Sequence, residues 1–384
     1  MDKFKAVLKK NTMVIILVLV FVLFSIGTKG RMLYPANINN LIAQNAYVFV
    51  LATGMLLCIL TGGNIDLSVG SIVCFVGAIG GKLMAERNFP ILPSILIMII
   101  AGLAIGAWQG FWIAYMKIPP FITTLAGMLA FRGLSNVLLN GLTVAPMPDK
   151  YLNLFNSYIP DLFHNEGFNL TCMLVGVIAC VVMILITLNN RRVKVSKGYK
   201  VDTFSAMVGR LVVISAAVLA FAFKLAKYKG IPVVLIWVAV VIAIYSYITS
   251  KTTIGRHFYA VGGNEKAAKL SGINTNKVFF IAYLNMAFLS AIAAMITIAR
   301  LNSANPTAGT NYEMDAIASC FIGGASAYGG VGTVPGVIVG AILMGVINLG
   351  MNIMGVDANY QKVVKGAVLL AAVVFDVVSK KKKA

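Results

Sequence analysis

Long apolar runs, broken at intervals by short polar stretches, set the architecture of this chain. A helix that crosses a hydrocarbon core about 30 Å thick needs about 20 mostly apolar residues. Runs of this kind lie near residues 12–27, 37–60, 67–85, 91–116, 120–140, 170–188, 209–226, 231–249, 278–299, 315–330, 334–354 and 360–378. The pattern predicts an all-α, polytopic integral membrane protein with about 10–12 transmembrane helices, some of them broken. Residues 1–384 read as one transmembrane domain, with three substantial polar loops at 141–169, 189–208 and 250–277. The glycine-rich stretch 61–66 reads either as a turn at the membrane surface or as a discontinuous element inside it.

Composition narrows the class further. Hydrophobic residues make up 59% of the chain and charged residues only 11%, less than half the share of about a quarter in a soluble domain. A soluble enzyme, a disulfide scaffold and a disordered protein are thereby excluded. The 32 basic residues outnumber the 12 acidic ones, for a net charge of +20. Nineteen of the basic residues fall in four clusters: Lys3 to Lys10, Arg191 to Arg210, Lys251 to Lys277, and Lys380 to Lys383. With twelve crossings and the N-terminus inside, all four clusters share the cytoplasmic side, as the positive-inside rule requires. The loop at 141–169 is then external, and those at 189–208 and 250–277 are cytoplasmic. The charge is a topology signal and not a nucleic-acid footprint. Lys82, Arg87, Lys224, Lys227 and Lys229 fit this scheme poorly, since they fall outside. No small-x-small cleavage site follows the first apolar run, so an uncleaved first helix is expected. Cys58, Cys74, Cys172, Cys180 and Cys320 all lie in apolar spans without a CxxC pair, and the two histidines are far apart. Small buried side chains are expected there, and no metal site.

Three polar constellations stand out. In the loop after Thr253, Asn264 is a plausible N-cap, Glu265 favours the positive helix end, and Gly272 can close the helix in a left-handed C-cap. The short helix between them, with Ala267, Ala268 and Leu270, reads either as a docking element lying along the membrane or as an ordinary charged loop. At Thr61 to Ser71, Asp66 is the only charge between Met32 and Gly81. It is a functional candidate by default, and Asp66 or Ser68 can equally cap the helix that follows. At 300–336, Arg300 with Glu313 or Asp315 suggests either a salt bridge between two helices or a docking point for an external partner. The glycine run 323–332 lacks the Lys-Ser/Thr ending of a phosphate-binding loop, so no nucleotide site is read in this chain. Gly102, Gly106 and Gly110, like Gly336 and Gly340, recur every fourth residue and mark close helix packing. Arg132 is costly within a span and either snorkels or lines an aqueous path.

The blocks GGNIDLSVGS (62–71), IPPFITTLAGMLAFRG (118–133), IGRHFYAVGGNEKAAKLSGIN (254–274), ANPTAGTNYEMDAIASCFIGGASAYGGVGTVPG (304–336) and YQKVVKGAVLLAAVVFD (360–376) resemble the permeases of ATP-binding-cassette importers for monosaccharides. The resemblance covers nearly the whole chain and is nearest to the xylose or multiple-monosaccharide subgroup, through the added segment 191–249. It implies a bacterial inner-membrane permease with both termini in the cytoplasm and no enzymatic activity of its own. It also implies a homodimer, a separate ATPase subunit that uses ATP and Mg, and an extracytoplasmic sugar-binding protein. Gly262, Gly263, Asn264, Glu265, Lys266, Ala267, Ala268, Lys269, Leu270, Ser271 and Gly272 would be the coupling helix that enters the ATPase. Asn64, Asp66, Ser68 and Arg132 are candidates for the translocation path; Arg300, Glu313 and Asp315 are candidates for docking the binding protein. A permease for branched-chain amino acids or nucleosides, and an ion-coupled secondary transporter, are the alternatives.

Overall fold

The structure is a computed structural model that describes residues 12–163, 167–199, 201 and 203–381. Lys3, Lys5, Lys9, Lys10, His164, Glu166, Lys200, Lys382 and Lys383 lie outside these residues. The chain opens with α1 (Thr12–Gly27), α2 (Pro35–Leu60) and α3 (Val69–Gly81), which continues as a π-turn over Lys82–Glu86. There follow α4 (Ile91–Ala114), α5 (Pro120–Leu139), the short α6 (Asp149–Phe155), α7 (Leu170–Ser196), α8 (Phe204–Ala226) and α9 (Val234–Lys251). The last third holds α10 (Thr253–Gly263), α11 (Glu265–Leu270), α12 (Thr275–Leu301), α13 (Tyr312–Ile322), α14 (Val334–Ile353) and α15 (Ala358–Lys381). No strand forms among the described residues, only the isolated bridges Val144–Ala304 and Tyr158–Pro232.

Nine described helices are long and apolar enough to cross a membrane: α2, α3 with its π-turn, α4, α5, α7, α8, α9, α12 and α14. Helix α1 is apolar but only 16 residues long, and α15 is an amphipathic 24-residue helix. The expected span 315–330 is corrected: α13 is an 11-residue half-helix, and Gly323 to Gly332 form an irregular turn. Glycine supplies the left-handed backbone there, as at Gly324 with φ +88°, and such residues end helices rather than continue them.

Helix α2 is the axis of the bundle, with α3, α12, α13 and α14 packed against it or against one another. Helices α7 and α8 form a peripheral hairpin whose large apolar side chains are mostly exposed, as lipid-facing surfaces are. The spacing of Gly102, Gly106 and Gly110 is spent inside the chain: all three face α12. A Cβ at Gly106 would lie 2.8 Å from Leu284 Cα and 2.9 Å from its carbonyl oxygen. Gly336 and Gly340 face Gly323 and Ser319 in the same way. These stripes therefore serve intrachain packing.

Successive crossings alternate, which separates the loops into two ends. One end gathers the turn 61–68, the segment 252–274 and the turn 323–332, joined by a bond from Gly330 N–H to Leu60 O of 3.1 Å. The opposite end gathers 28–34, 140–163, 227–233 and 354–357, where Ile159 N–H bonds Ile231 O at 2.9 Å. Helix α1 begins, and α15 ends, at the first of these.

Gly106→Leu should lower the unfolding free energy by about 1–3 kcal/mol, the usual range for overpacking a tight contact. Gly209 on α8 has open space around it, so Gly209→Leu should leave the thermal midpoint in detergent near that of the native chain. Equal midpoints for the two variants would refute the α4–α12 packing role.

Candidate functional site

The segment 252–274 is built by its caps. Thr252 accepts from Gly255 N–H at 3.2 Å and starts α10. Asn264, in extended conformation, accepts from Ala267 N–H at 3.0 Å and starts α11. At the far end Gly272 takes φ +84°, and its N–H bonds Lys269 O while Ile273 N–H bonds Ala268 O. This is the paired pattern of a Schellman cap, which glycine permits without strain. Ala268 is buried against the bundle, whereas Ala267 is exposed and Leu270 is 90% exposed. A fully exposed leucine forgoes about 1.5–3 kcal/mol of burial, so this apolar point among lysines suits a protein partner.

Behind α11 the backbone is unusually close to its neighbours. A Cβ at Gly262 would collide with Leu60 O and, at 2.5 Å, with Gly330 N. A Cβ at Gly329 would meet Gly62 Cα at the same distance. Tyr259 of α10 donates its hydroxyl to Gly332 O at 2.8 Å, and burial pushes its phenol above the usual range. Asp376 of α15 accepts from Ala327 N–H at 3.1 Å. A cavity of about 550 Å³ opens beside this junction, lined by Asn64, Lys117, Pro119, Asn264, Glu265 and Phe279 among others.

Further into the bundle the starts of α3 and of the half-helix α13 meet. Gly70, at the start of α3, lies against Gly309, just before α13, with each backbone closing on the other. Acidic residues cluster at both starts: Asp66 before α3, Glu313 and Asp315 in the first turn of α13. Negative charge is favoured at helix N-termini, where unpaired N–H groups leave a positive end. Asp66 and Ser68 are fully buried. Asp66 Oδ1 accepts from Ser68 N–H at 2.8 Å and from Ser68 Oγ at 2.5 Å, and Gln109 Nε2 donates to Ser68 Oγ at 2.7 Å. Neither residue caps α3 through its side chain, in contrast to the expectation. Arg132 of α5 donates through Nη1 to Pro306 O and Ala308 O at 3.1 and 2.6 Å.

Asp315 is 1% exposed. Lys365 of α15 pairs with it at 2.9 Å, and Tyr47 of α2 donates its hydroxyl at 2.6 Å. The Tyr47 ring stacks on Tyr312 with centroids 3.5 Å apart.

The family described as the permease component of the branched-chain amino acid transport system matches residues 37–373. The xylose transport system permease of Haemophilus influenzae is 38% identical over 383 residues, covering all of both chains. That of Escherichia coli K12 is 35% identical over 370 residues, 96% of this chain and 92% of its own. The ribose import permease of Escherichia coli K12 is 33% identical over 341 residues, 88% of this chain and 85% of its own. The chain belongs to this permease family. No solved structure matches it.

Within this permease the sequence candidates separate into groups. Gly262 to Gly272 stand together at one end, and Asn64 joins them at the cavity rather than joining Asp66 and Ser68. Asp66 and Ser68 line no open space, being wholly enclosed. Arg132 holds the backbone that leads into α13, and Glu313 stands in the first turn of that helix. The expected pairing of Arg300 with an acid is corrected: Asp315 pairs with Lys365, and Arg300 borders a small recess with Gln44, Thr297 and Tyr312. Glu313 and Asp315 lie within the bundle, and Asp315 offers no surface to an external partner. Lys365 went unremarked in the sequence, although an ionisable residue inside the span 360–378 is a signal in its own right.

Lys365→Met should destabilise the fold by about 3–5 kcal/mol, since it strands a buried carboxylate. Adding Asp315→Asn should recover much of the loss in the thermal midpoint. A native midpoint for Lys365→Met alone would show that the pair does not hold α15.

Proposed function

We propose that this permease is the membrane-spanning subunit of an ATP-driven importer that passes a monosaccharide, a xylose-like pentose or a hexose, into the cytoplasm by alternating access. The observation that carries the reading is the end-to-end similarity to xylose permeases, at 38% identity over both whole chains. The amino-acid substrate in the family's description is disfavoured, because relatives that cover nearly all of this chain carry xylose and ribose.

The end that bears α11 and the basic loops faces the cytoplasm of a bacterial inner membrane, in keeping with the positive-inside rule. The described ends of the chain, Thr12 and Lys381, then both lie on that side. ATP and Mg are used by a separate ATPase subunit, and α11 is the coupling helix that docks in it. The capped helix with Leu270 and Ala267 outermost supports this role: the caps hold the backbone rigid, and the exposed face is apolar. Sugar arrives on an extracytoplasmic binding protein, whose docking surface includes Arg300. Two copies of the chain form the working permease.

Ala267→Glu and Leu270→Glu should each abolish co-purification of the ATPase and reduce ATP-driven xylose uptake to background in proteoliposomes of the whole complex. Native assembly and uptake by both variants would overturn the coupling assignment. Proteoliposomes that hold this chain alone, with ATP inside, should accumulate no xylose; accumulation driven by an ion gradient would overturn the importer reading.

A further inference from the structure

The stretch between α12 and α13, residues 302–311, is irregular backbone inside the height of the bundle. Its course is fixed at several points. Ala304 lies against Gly81 at the top of α3, Pro306 O accepts from Cys74 Sγ at 3.4 Å, and Gly309 abuts Gly70 at the start of α3. The segment thus runs the length of α3, about 16 Å at the rise of an α-helix. Tyr312 then stacks on Tyr47, in the middle of α2.

Part of this backbone is exposed. Thr307 and Thr310 are open at the surface of the chain, and Glu313 is half-buried next to them. On the adjoining face of α5, Arg132 is half-buried and Asn136 exposed. Arg132 is seven residues from the end of α5 at Leu139, about 10 Å inside the span. Non-helical backbone at membrane depth does not face lipid; it is buried in protein or lines a water-filled cavity. Exposed threonine and asparagine side chains beside a half-buried glutamate and arginine point the same way. The lipid-facing hairpin α7–α8 shows the contrast, with Val177, Val181 and Leu185 at its surface.

We propose that Arg132, Asn136, Thr307, Thr310 and Glu313 form the sugar-contacting wall of an aqueous translocation path. The inference rests on the sugar-importer reading. The chemistry fits a neutral polyol: one cation balances one anion, so no net charge attracts ions. Hydroxyl and amide groups offer both donors and acceptors. Thr310 Oγ donates to Thr307 O at 2.7 Å and Asn136 Nδ2 to Arg132 O at 3.2 Å, which orients both side chains while leaving lone pairs for sugar hydroxyls. The role replaces binding-protein docking for Glu313, which sits too deep for it. Asp66 and Ser68 support the wall from behind by shaping the start of α3.

Thr310→Cys, Asn136→Cys and, as the lipid-facing reference, Val181→Cys are each made in the full transporter and exposed to a membrane-impermeant charged methanethiosulfonate. Thiolate forms in water and is suppressed in apolar surroundings, so the first two should react at least about tenfold faster than the reference. Xylose with its binding protein and ATP should slow the reaction. Glu313→Gln should weaken xylose uptake about tenfold, the size of one lost hydrogen bond to a charged group, and Thr310→Ala about fivefold, the size of a neutral one. Labelling of both cysteines as slow as at Val181→Cys overturns the aqueous path. Fast labelling with native xylose uptake by Glu313→Gln and Thr310→Ala overturns the sugar contact. If Thr310→Cys does not reach the membrane, Asn136→Cys, at an exposed helical position, decides alone. Failure of the underlying reading is distinct, since the native complex would then take up no xylose.

Discussion

Backbone that leaves the helix inside a membrane must be buried in protein or line a water-filled cavity, and the bundle is arranged around two departures from helix. At 61–68 the chain turns on Gly62 and Gly63, with Gly63 N–H on Ile59 O and Ser68 N–H on Asp66. At 302–311 the carbonyls of Pro306 and Ala308 are taken by Arg132. The two departures approach from opposite ends and meet where Gly70 abuts Gly309. Glycine is needed there because two backbones are in contact and no side chain fits between. The acids that look out of place in a membrane span are explained by the same geometry, since they stand at the positive starts of α3 and α13.

Half-helix α13 is held at both ends by different means. Its first turn is tied to α2 and α15 through Asp315, Tyr47 and Lys365. The turn that follows it is tied to α2, α10 and α15 through Gly330, Tyr259 and Asp376. Only Asn264 separates α10 from α11. A shift of α11 therefore reaches the turn 323–332 by backbone contact at Gly262, without side-chain rotamers to absorb it. Packed interfaces of this kind switch between discrete arrangements rather than deform smoothly. This is the physical link the fold offers between the segment 252–274 at one end and the starts of α3 and α13 within the bundle.

Local rules were legible residue by residue. The caps at Asn264 and Gly272 form as their chemistry demands, because each needs only neighbours within a few positions. The spacing of Gly102, Gly106 and Gly110 announces a close helix contact, but it cannot say that the partner is α12. The span at 315–330 misled because hydropathy counts apolar residues whether or not the backbone is helical. Arg300 was paired with the nearest acids in sequence, while Asp315 found Lys365 fifty positions away. Choice among long-range partners depends on which helices become neighbours, and no local pattern encodes that.

The sequence by itself determined a helical membrane protein, its polar loops, and the short helix at 265–270 with its caps, since these follow from solvation and from bonds between near neighbours. The tertiary structure alone decided that Gly62, Gly262 and Gly330 converge, that Asp66 is sealed, and that Thr307 and Thr310 lie open at membrane depth. Whether a polar residue meets lipid, protein or water is a property of the face it ends on, and a face exists only once the helices have packed.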